Sequence, residues 1–189
     1  MNYSMVPLNE PPARQPTATG WAAVGQLALR FGAGAGLVCG LWLLFLYFTG
    51  NEPFSPKQIM GLLTVPFAAA ASQWRLRRTV APARPGIGRS LGVGAATVLL
   101  AAALAAGSTW GLAEALGDKA LAYSRAELQE ITRVQQKLRP KEKRNARFEQ
   151  QELAQAAALS TADLARGTFT WTLLLGMLGA LPAGIFLRK

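Results

Sequence analysis

Apolar residues gather in long blocks separated by short polar connections, and the blocks are too uniform for the one-sided stripe of a soluble helix. Phe31–Thr49 runs for 19 residues without a charge, enough at about 1.5 Å per residue to cross a hydrocarbon core of roughly 30 Å. A second block, Ile59–Ser72, has 14 residues and reaches only about 21 Å as a helix. It crosses with Lys57 and Arg75 snorkelling at its ends or with local thinning, a re-entrant or interfacial segment being the alternative. Ser55, Pro56 and Gln58 read as a capping-box start for it, and Pro66 predicts a kink. Leu91–Ala106, continuing through Trp110 toward Glu114, is the third block, and Thr168–Leu187 is the fourth, with Ser160 and Asp163 as a capping pair that starts its helix early.

The stretch from Asp118 to Arg166 has a different period. Leu121, Leu128, Ile131, Val134 and Leu138 form a helical stripe, Arg139-Pro140 interrupts it, and an Ala/Gln/Glu-rich piece from Lys141 to Leu159 follows with Phe148 and Leu153 as its main apolar groups. This predicts a helical hairpin or bent helix, with Glu130 and Arg133 at an ion-pair offset. Fully burying a large apolar side chain contributes about 1.5 to 3 kcal/mol, against an ordering cost of about 1 to 2 kcal/mol per residue. So thin a seam does not fold alone, and Leu121, Leu128, Ile131 and Leu138 are the expected partner face, covered by a second copy, another envelope component or the outer ends of the spans. The division predicted is a flexible, proline-containing tail over 1–20, three spans over 21–116, the insert over 117–166 and the last span over 167–189.

Charge orients these pieces. Arg75, Arg77, Arg78, Arg84 and Arg89 lie between the second and third blocks without an acid among them, and short arginine-rich loops stay cytoplasmic and contact anionic inner-leaflet lipid. Both termini are then cytoplasmic, with nine basic residues against one acid on that side. Aromatic residues agree, Trp21, Trp74 and Phe186 falling at the inner boundary and Tyr47, Phe48, Trp110, Phe169 and Trp171 at the outer one. The insert runs against the rule with ten basic and seven acidic residues, although its length and interspersed acids reduce the rule's weight there.

Composition changes the picture little: 51% hydrophobic content and a mean hydropathy of +0.20 suit an integral membrane protein. The net charge of +10 lies in connections flanking apolar blocks and not on a basic face interleaved with aromatics, so nucleic acid is not an expected partner. There is no histidine, and the single cysteine, Cys39, sits within an apolar block. No catalytic constellation, phosphate-binding loop, metal ligand set or cofactor site is expected, and no ionisable residue falls inside a span to form a relay; Glu114 is assigned to the interface. Thr64, Thr97 and Thr172 are expected to bond to the preceding helical turn. Gly32, Gly36 and Gly40 in the first span, and Gly176, Ala180 and Gly184 in the last, repeat at four-residue intervals and form faces where helices approach closely, within the bundle or between copies.

The glycine-rich first span, the run Gly-Leu-Leu-Thr-Val-Pro-Phe at 61–67 leading to Trp-Arg-Leu-Arg-Arg at 74–78, the small-residue third span, the charged helical insert and the ending Leu187-Arg188-Lys189 together resemble a family of small bacterial four-span membrane proteins known only as a domain of unknown function. The resemblance covers roughly residues 25–189 and implies a bacterial inner-membrane protein, with no activity to carry over. The expected fold is all-α, a four-transmembrane-helix bundle with an extracytoplasmic helical insert between spans three and four. The expected role is non-enzymatic, a scaffold or accessory subunit contacting an envelope partner or a second copy through its insert; a small transporter or channel is the alternative.

Overall fold

The computed structural model describes residues 19–80, 86–140 and 145–186. The tail before residue 19, Arg84 and the final Leu187-Arg188-Lys189 lie outside the described residues. The described chain is all-helical: α1 (Thr19–Phe48), a 3-10 turn (Pro56–Gln58), α2 (Ile59–Leu62), α3 (Thr64–Val80), α4 (Ile87–Leu116), α5 (Asp118–Leu138), α6 (Ala146–Ala157) and α7 (Thr161–Phe186). Three of these, α1, α4 and α7, are long and apolar enough to cross a membrane.

The second apolar block is not among them. It breaks at Leu63 into α2 and α3, because Pro66 has no N–H to offer the Leu62 carbonyl four residues back and its ring crowds that group. Ser55 occupies the position before the 3-10 turn but does not cap it; its hydroxyl donates to the Glu52 carbonyl at 2.8 Å. Trp42 of α1 fixes this entry instead, its indole Nε1 donating to the Lys57 carbonyl at 3.0 Å. The arginine-rich loop expected from residue 75 is also corrected. α3 continues to Val80, so Arg75, Arg77 and Arg78 are exposed on its last turns, and Arg89 lies in the first turn of α4. Helix persists there because Leu76, on the inner face, packs with Val24, Ala28 and Val93.

α3 packs against α1, α4 and α7, and α4 against α1, α3 and α7. Its neighbours on either side run in register: Gly32, Gly36 and Gly40 of α1 meet Leu100, Leu104 and Ser108 of α4, so these two helices are parallel, whereas Gly176 and Gly184 of α7 meet Val98 and Leu91 in antiparallel order. The core between them is built from small residues: Ala35 and Cys39, Leu62, Val65 and Ala69, Val98, Ala101 and Ala105, and Ala180. Large apolar side chains point outward, among them Leu37, Leu41, Phe45, Leu99, Trp171, Leu174 and Leu178. This polarity is the reverse of a water-soluble bundle and is what close helix packing in lipid produces.

Gly117 ends α4 at a φ of +64°, a left-handed backbone that a Cβ would strain, and redirects the chain into α5. Arg139 is extended before Pro140 and ends α5. Asn145 caps α6 by accepting from the Arg147 N–H at 3.1 Å. α7 starts at Thr161, ahead of the apolar block, because Ser160 and Asp163 form a reciprocal box: the Asp163 carboxylate accepts from the Ser160 N–H at 3.1 Å and from its hydroxyl at 2.6 Å, while the Asp163 N–H donates to that hydroxyl at 3.2 Å.

Candidate functional site

The groups that set this bundle apart from a uniformly apolar one are amides and hydroxyls of the 3-10 turn, α3, α4 and α7. At the end near the insert, Gln58 Nε2 donates to Thr168 Oγ1 at 3.0 Å and to Thr109 Oγ1 at 3.4 Å, and the two threonines are 3.3 Å apart. Toward the arginine end, the Thr97 hydroxyl donates to the Val93 carbonyl one turn back at 2.7 Å and lies 3.1 Å from Ser72 Oγ, which donates to the Ala69 carbonyl at 2.7 Å. Beside it Gln73, 1% exposed, donates from Nε2 to the Ala180 carbonyl of α7 at 2.9 Å. That bond fixes the amide orientation, since the reverse would face one carbonyl with another. Gln73 Oε1 is buried without a partner.

The sequence folds this way because glycines make room for the amide. A Cβ on Gly94 would collide with Gln73 Nε2, and one on Gly184 would come within 3.4 Å of the same atom and 2.6 Å of Leu91 Cδ2. Ala180 is 2% exposed, and a Cβ on Gly176 would lie 2.5 Å from Val98 and 3.1 Å from Val65. On α1, a Cβ at Gly32 would meet Leu100 and the Thr97 carbonyl, each at 2.8 Å, one at Gly36 would lie 2.5 Å from Leu104, and one at Gly40 would lie 2.7 Å from Ser108. The α1 glycine face is therefore occupied by α4 of the same chain. Gln58, Ser72, Gln73, Thr109 and Thr168 were missed as bridging residues in the sequence; the available signal was two glutamines flanking an apolar block that otherwise carries only Ser and Thr as polar groups.

Among the described residues, the buried polar side chains of the bundle are Ser, Thr and Gln. Thr64 and Thr172 bond to the preceding turn, at 2.7 Å to the Gly61 carbonyl and 2.6 Å to the Thr168 carbonyl. The Cys39 thiol donates to the Gly61 carbonyl at 3.4 Å. Glu114 is exposed and accepts from Thr161 Oγ1 at 2.8 Å. The side-chain bonds that run between helices are worth about 0.6 kcal/mol apiece in a membrane protein. Among the described residues, no three His, Cys, Asp or Glu side chains gather into a metal-binding group.

At the insert, the α5 face that meets α6 is polar. Arg125 Nε donates to the Leu159 carbonyl at 3.0 Å, Gln136 Nε2 to the Glu149 carbonyl at 2.9 Å, and Arg139 to Glu152 Oε1 at 2.6 Å. Leu121 is buried, whereas Leu128, Ile131, Val134 and Leu138 are exposed, Leu138 by 79%. Arg125 pairs with Asp118 at 3.8 Å, and the expected Glu130–Arg133 pair does not form. The Arg139 guanidinium, followed by the Gln136 amide, holds the Glu152 carboxyl below the usual carboxylate range. A depressed folded-state pKa stabilises above the ordinary value of 4.5 and loses its effect as pH falls through the lowered one. The protection of α6 amides, relative to their intrinsic exchange at each pH, is therefore expected to fall on acidification below that range, and Glu152→Gln to lose that fall; the same acid response of protection in the variant would disprove it.

Of the arginines, Arg78 lies over the Trp74 ring at 3.8 Å from its centroid, while Arg75, Arg77 and Arg89 share the end of the bundle opposite the insert. No curated protein and no solved structure matches this chain. A family profile described as "Protein of unknown function (DUF4199)" matches residues 30–189, taking in every helix from Arg30 of α1 onward, and the chain belongs to that family.

Proposed function

We propose that this is a non-enzymatic protein of the bacterial inner membrane, in which α1, the α2–α3 pair, α4 and α7 cross the bilayer as four spans and the α5–α6 hairpin stands outside the cell membrane as the contact for an envelope partner. The observation that carries the reading is the distribution of apolar groups: large side chains face outward around a small-residue core, and a second set, Leu128, Ile131, Val134 and Leu138, remains exposed on a helix whose polar face is already used. α2 and α3 together extend from residue 59 to residue 80, about 33 Å at helical rise, which supports a crossing despite the break. Arginines at one end and the insert at the other support cytoplasmic placement of the former.

The transporter reading needs a hydrated polar path. The amides and hydroxyls between the helices are instead bonded to one another or to backbone carbonyls, apart from Gln73 Oε1, and the contacts of Gly32, Gly36 and Gly176 close the space around them. Photo-crosslinking amino acids at Leu128, Ile131 and Leu138 in the full-length protein in its native membrane should each give a defined adduct, with a second copy or one other membrane-associated protein, while the same group at exposed Gln150 of α6 gives none. Absence of adducts from the stripe, together with labelling of a cysteine at Ala101 by a water-soluble thiol reagent, would favour the transporter.

A further inference from the structure

A cleft of about 400 Å³ opens between α1 and α3 at the arginine end, lined by Leu27, Arg30, Phe31, Ala71, Trp74 and Arg75. Its composition is divided: Leu27, Phe31 and Ala71 supply an apolar surface, Trp74 an aromatic wall braced by Arg78 stacked on its ring, and Arg30 and Arg75 two exposed guanidinium groups. Among the described residues neither Arg30 nor Arg75 is paired with a carboxylate. Two unpaired like charges converging on one concavity leave a strong preference for an anion between them, and a guanidinium presents its donors in a fork that matches phosphate oxygens. The apolar surface adjoining them is unsuited to a free, fully hydrated ion and suited to glycerol and acyl groups. The boundary position completes the match, since Arg30 precedes the uncharged stretch of α1 and Arg75 follows the apolar part of α3, which puts both at headgroup depth in the bundle proposed above.

We propose that this cleft is a discrete binding site for one anionic phospholipid of the inner leaflet, its phosphate held between Arg30 and Arg75 and its glycerol and upper acyl segments lying on Leu27, Phe31, Ala71 and the Trp74 indole. The site rests on the membrane reading of the bundle and goes beyond diffuse attraction of a basic end to an acidic surface. Arg30, on a different helix from the arginine-rich segment, is the residue that separates the two ideas.

The test uses the full-length protein in nanodiscs of phosphatidylcholine containing a minor fraction of phosphatidylglycerol, with retained lipid measured by native mass spectrometry. The wild-type protein should keep one phosphatidylglycerol with a preference over phosphatidylcholine of roughly tenfold or more, from two arginines acting near the surface. Arg30→Gln with Arg75→Gln should bring the preference close to parity, whereas Arg77→Gln with Arg89→Gln, which removes the same charge outside the cleft, should preserve it. All four positions are at least partly exposed, so both variants are expected to fold, and matched thermal melts check this. Equal loss in the two double variants would replace the site with diffuse surface charge and overturn the proposal, as would displacement of the lipid by millimolar inorganic phosphate. A protein that inserts into the discs yet retains no anionic lipid defeats this inference alone, while one released from native membranes by alkaline carbonate defeats the membrane reading itself.

Discussion

Gly179→Ala and Gly32→Ala will each destabilise the bundle, although alanine is intrinsically the better helix residue. A Cβ at Gly179 would collide with Pro66 Cβ and lie 2.8 Å from its Cα, and one at Gly32 would stand 2.8 Å from the Thr97 carbonyl oxygen. Both obstacles include backbone, which cannot rotate away as a side-chain end can. The helix-propensity gain of about 0.5 to 1 kcal/mol is therefore outweighed by an overpacking cost of about 1 to 3 kcal/mol. Gly36→Leu and Ala180→Leu, placing still larger groups against Leu104 and into the 2%-exposed Ala180 site, should lie at the upper end of that range or beyond it. Gly34 is the internal control, for a Cβ there meets nothing within 4 Å, and Gly34→Ala should leave stability unchanged or raise it slightly. Thermal unfolding in detergent reads all five. If Gly32→Ala and Gly34→Ala melted together, the α1 glycine row would not be a packing surface against α4; if Gly36→Leu changed crosslinked dimer yield without changing the melt, the row would serve contacts between chains.

The second large effect is expected at Gln73. Gln73→Glu keeps the shape but exchanges the Nε2 donor for an oxygen facing the Ala180 carbonyl, in a site 1% exposed and next to Gly94 and Gly184. An ionised carboxylate there is uncompensated, and breaking a buried polar arrangement in this way costs about 3 to 5 kcal/mol. The introduced acid avoids the cost by holding its proton, so the folded state binds more protons than the unfolded one and stability falls as pH rises, by up to about 1.4 kcal/mol per pH unit. The variant should melt higher at pH 5 than at pH 8, against a flat wild-type profile. Gln73→Met, which removes the amide and its unpartnered oxygen together, should cost no more than about 1 kcal/mol. A Gln73→Glu protein as stable as wild type at pH 8 would show that water reaches this position and that the bundle is open there.

What the sequence disclosed follows from which forces act locally. Uncharged length identified α1, α4 and α7, and four-residue spacing picked out Gly32, Gly36, Gly40, Gly176, Ala180 and Gly184 as close-approach positions, because both depend on helical geometry alone. Ser160 with Asp163 was readable for the same reason. Tertiary contacts decided the remainder. Continuation of α3 past Arg75 depends on Leu76 finding Val24, Ala28 and Val93, and the bridging roles of Gln58 and Gln73 depend on α4 and α7 arriving opposite them. In the insert, periodicity revealed an amphipathic helix but not which face would dock, since α5 is tied to α6 and its flank by Gln136, by Arg125 through the Leu159 carbonyl and by Arg139 just past the helix end, to one side of the apolar stripe.

The measurement that bears most directly on the arrangement is the sidedness of two single cysteines. With Cys39 replaced by alanine, one cysteine is placed at Ala83, between α3 and α4, and another at exposed Ala126 on α5. A membrane-impermeant maleimide is applied to whole cells with a permeabilised outer membrane, and again after lysis. The arginine-bearing end is expected inside and the insert outside, so Ala126→Cys should label in whole cells and Ala83→Cys only after lysis. Labelling of Ala83→Cys in whole cells, with Ala126→Cys protected, would mean that the bundle is inverted or that the α2–α3 pair turns back without crossing; labelling of both would mean that α4, the helix between them, does not cross.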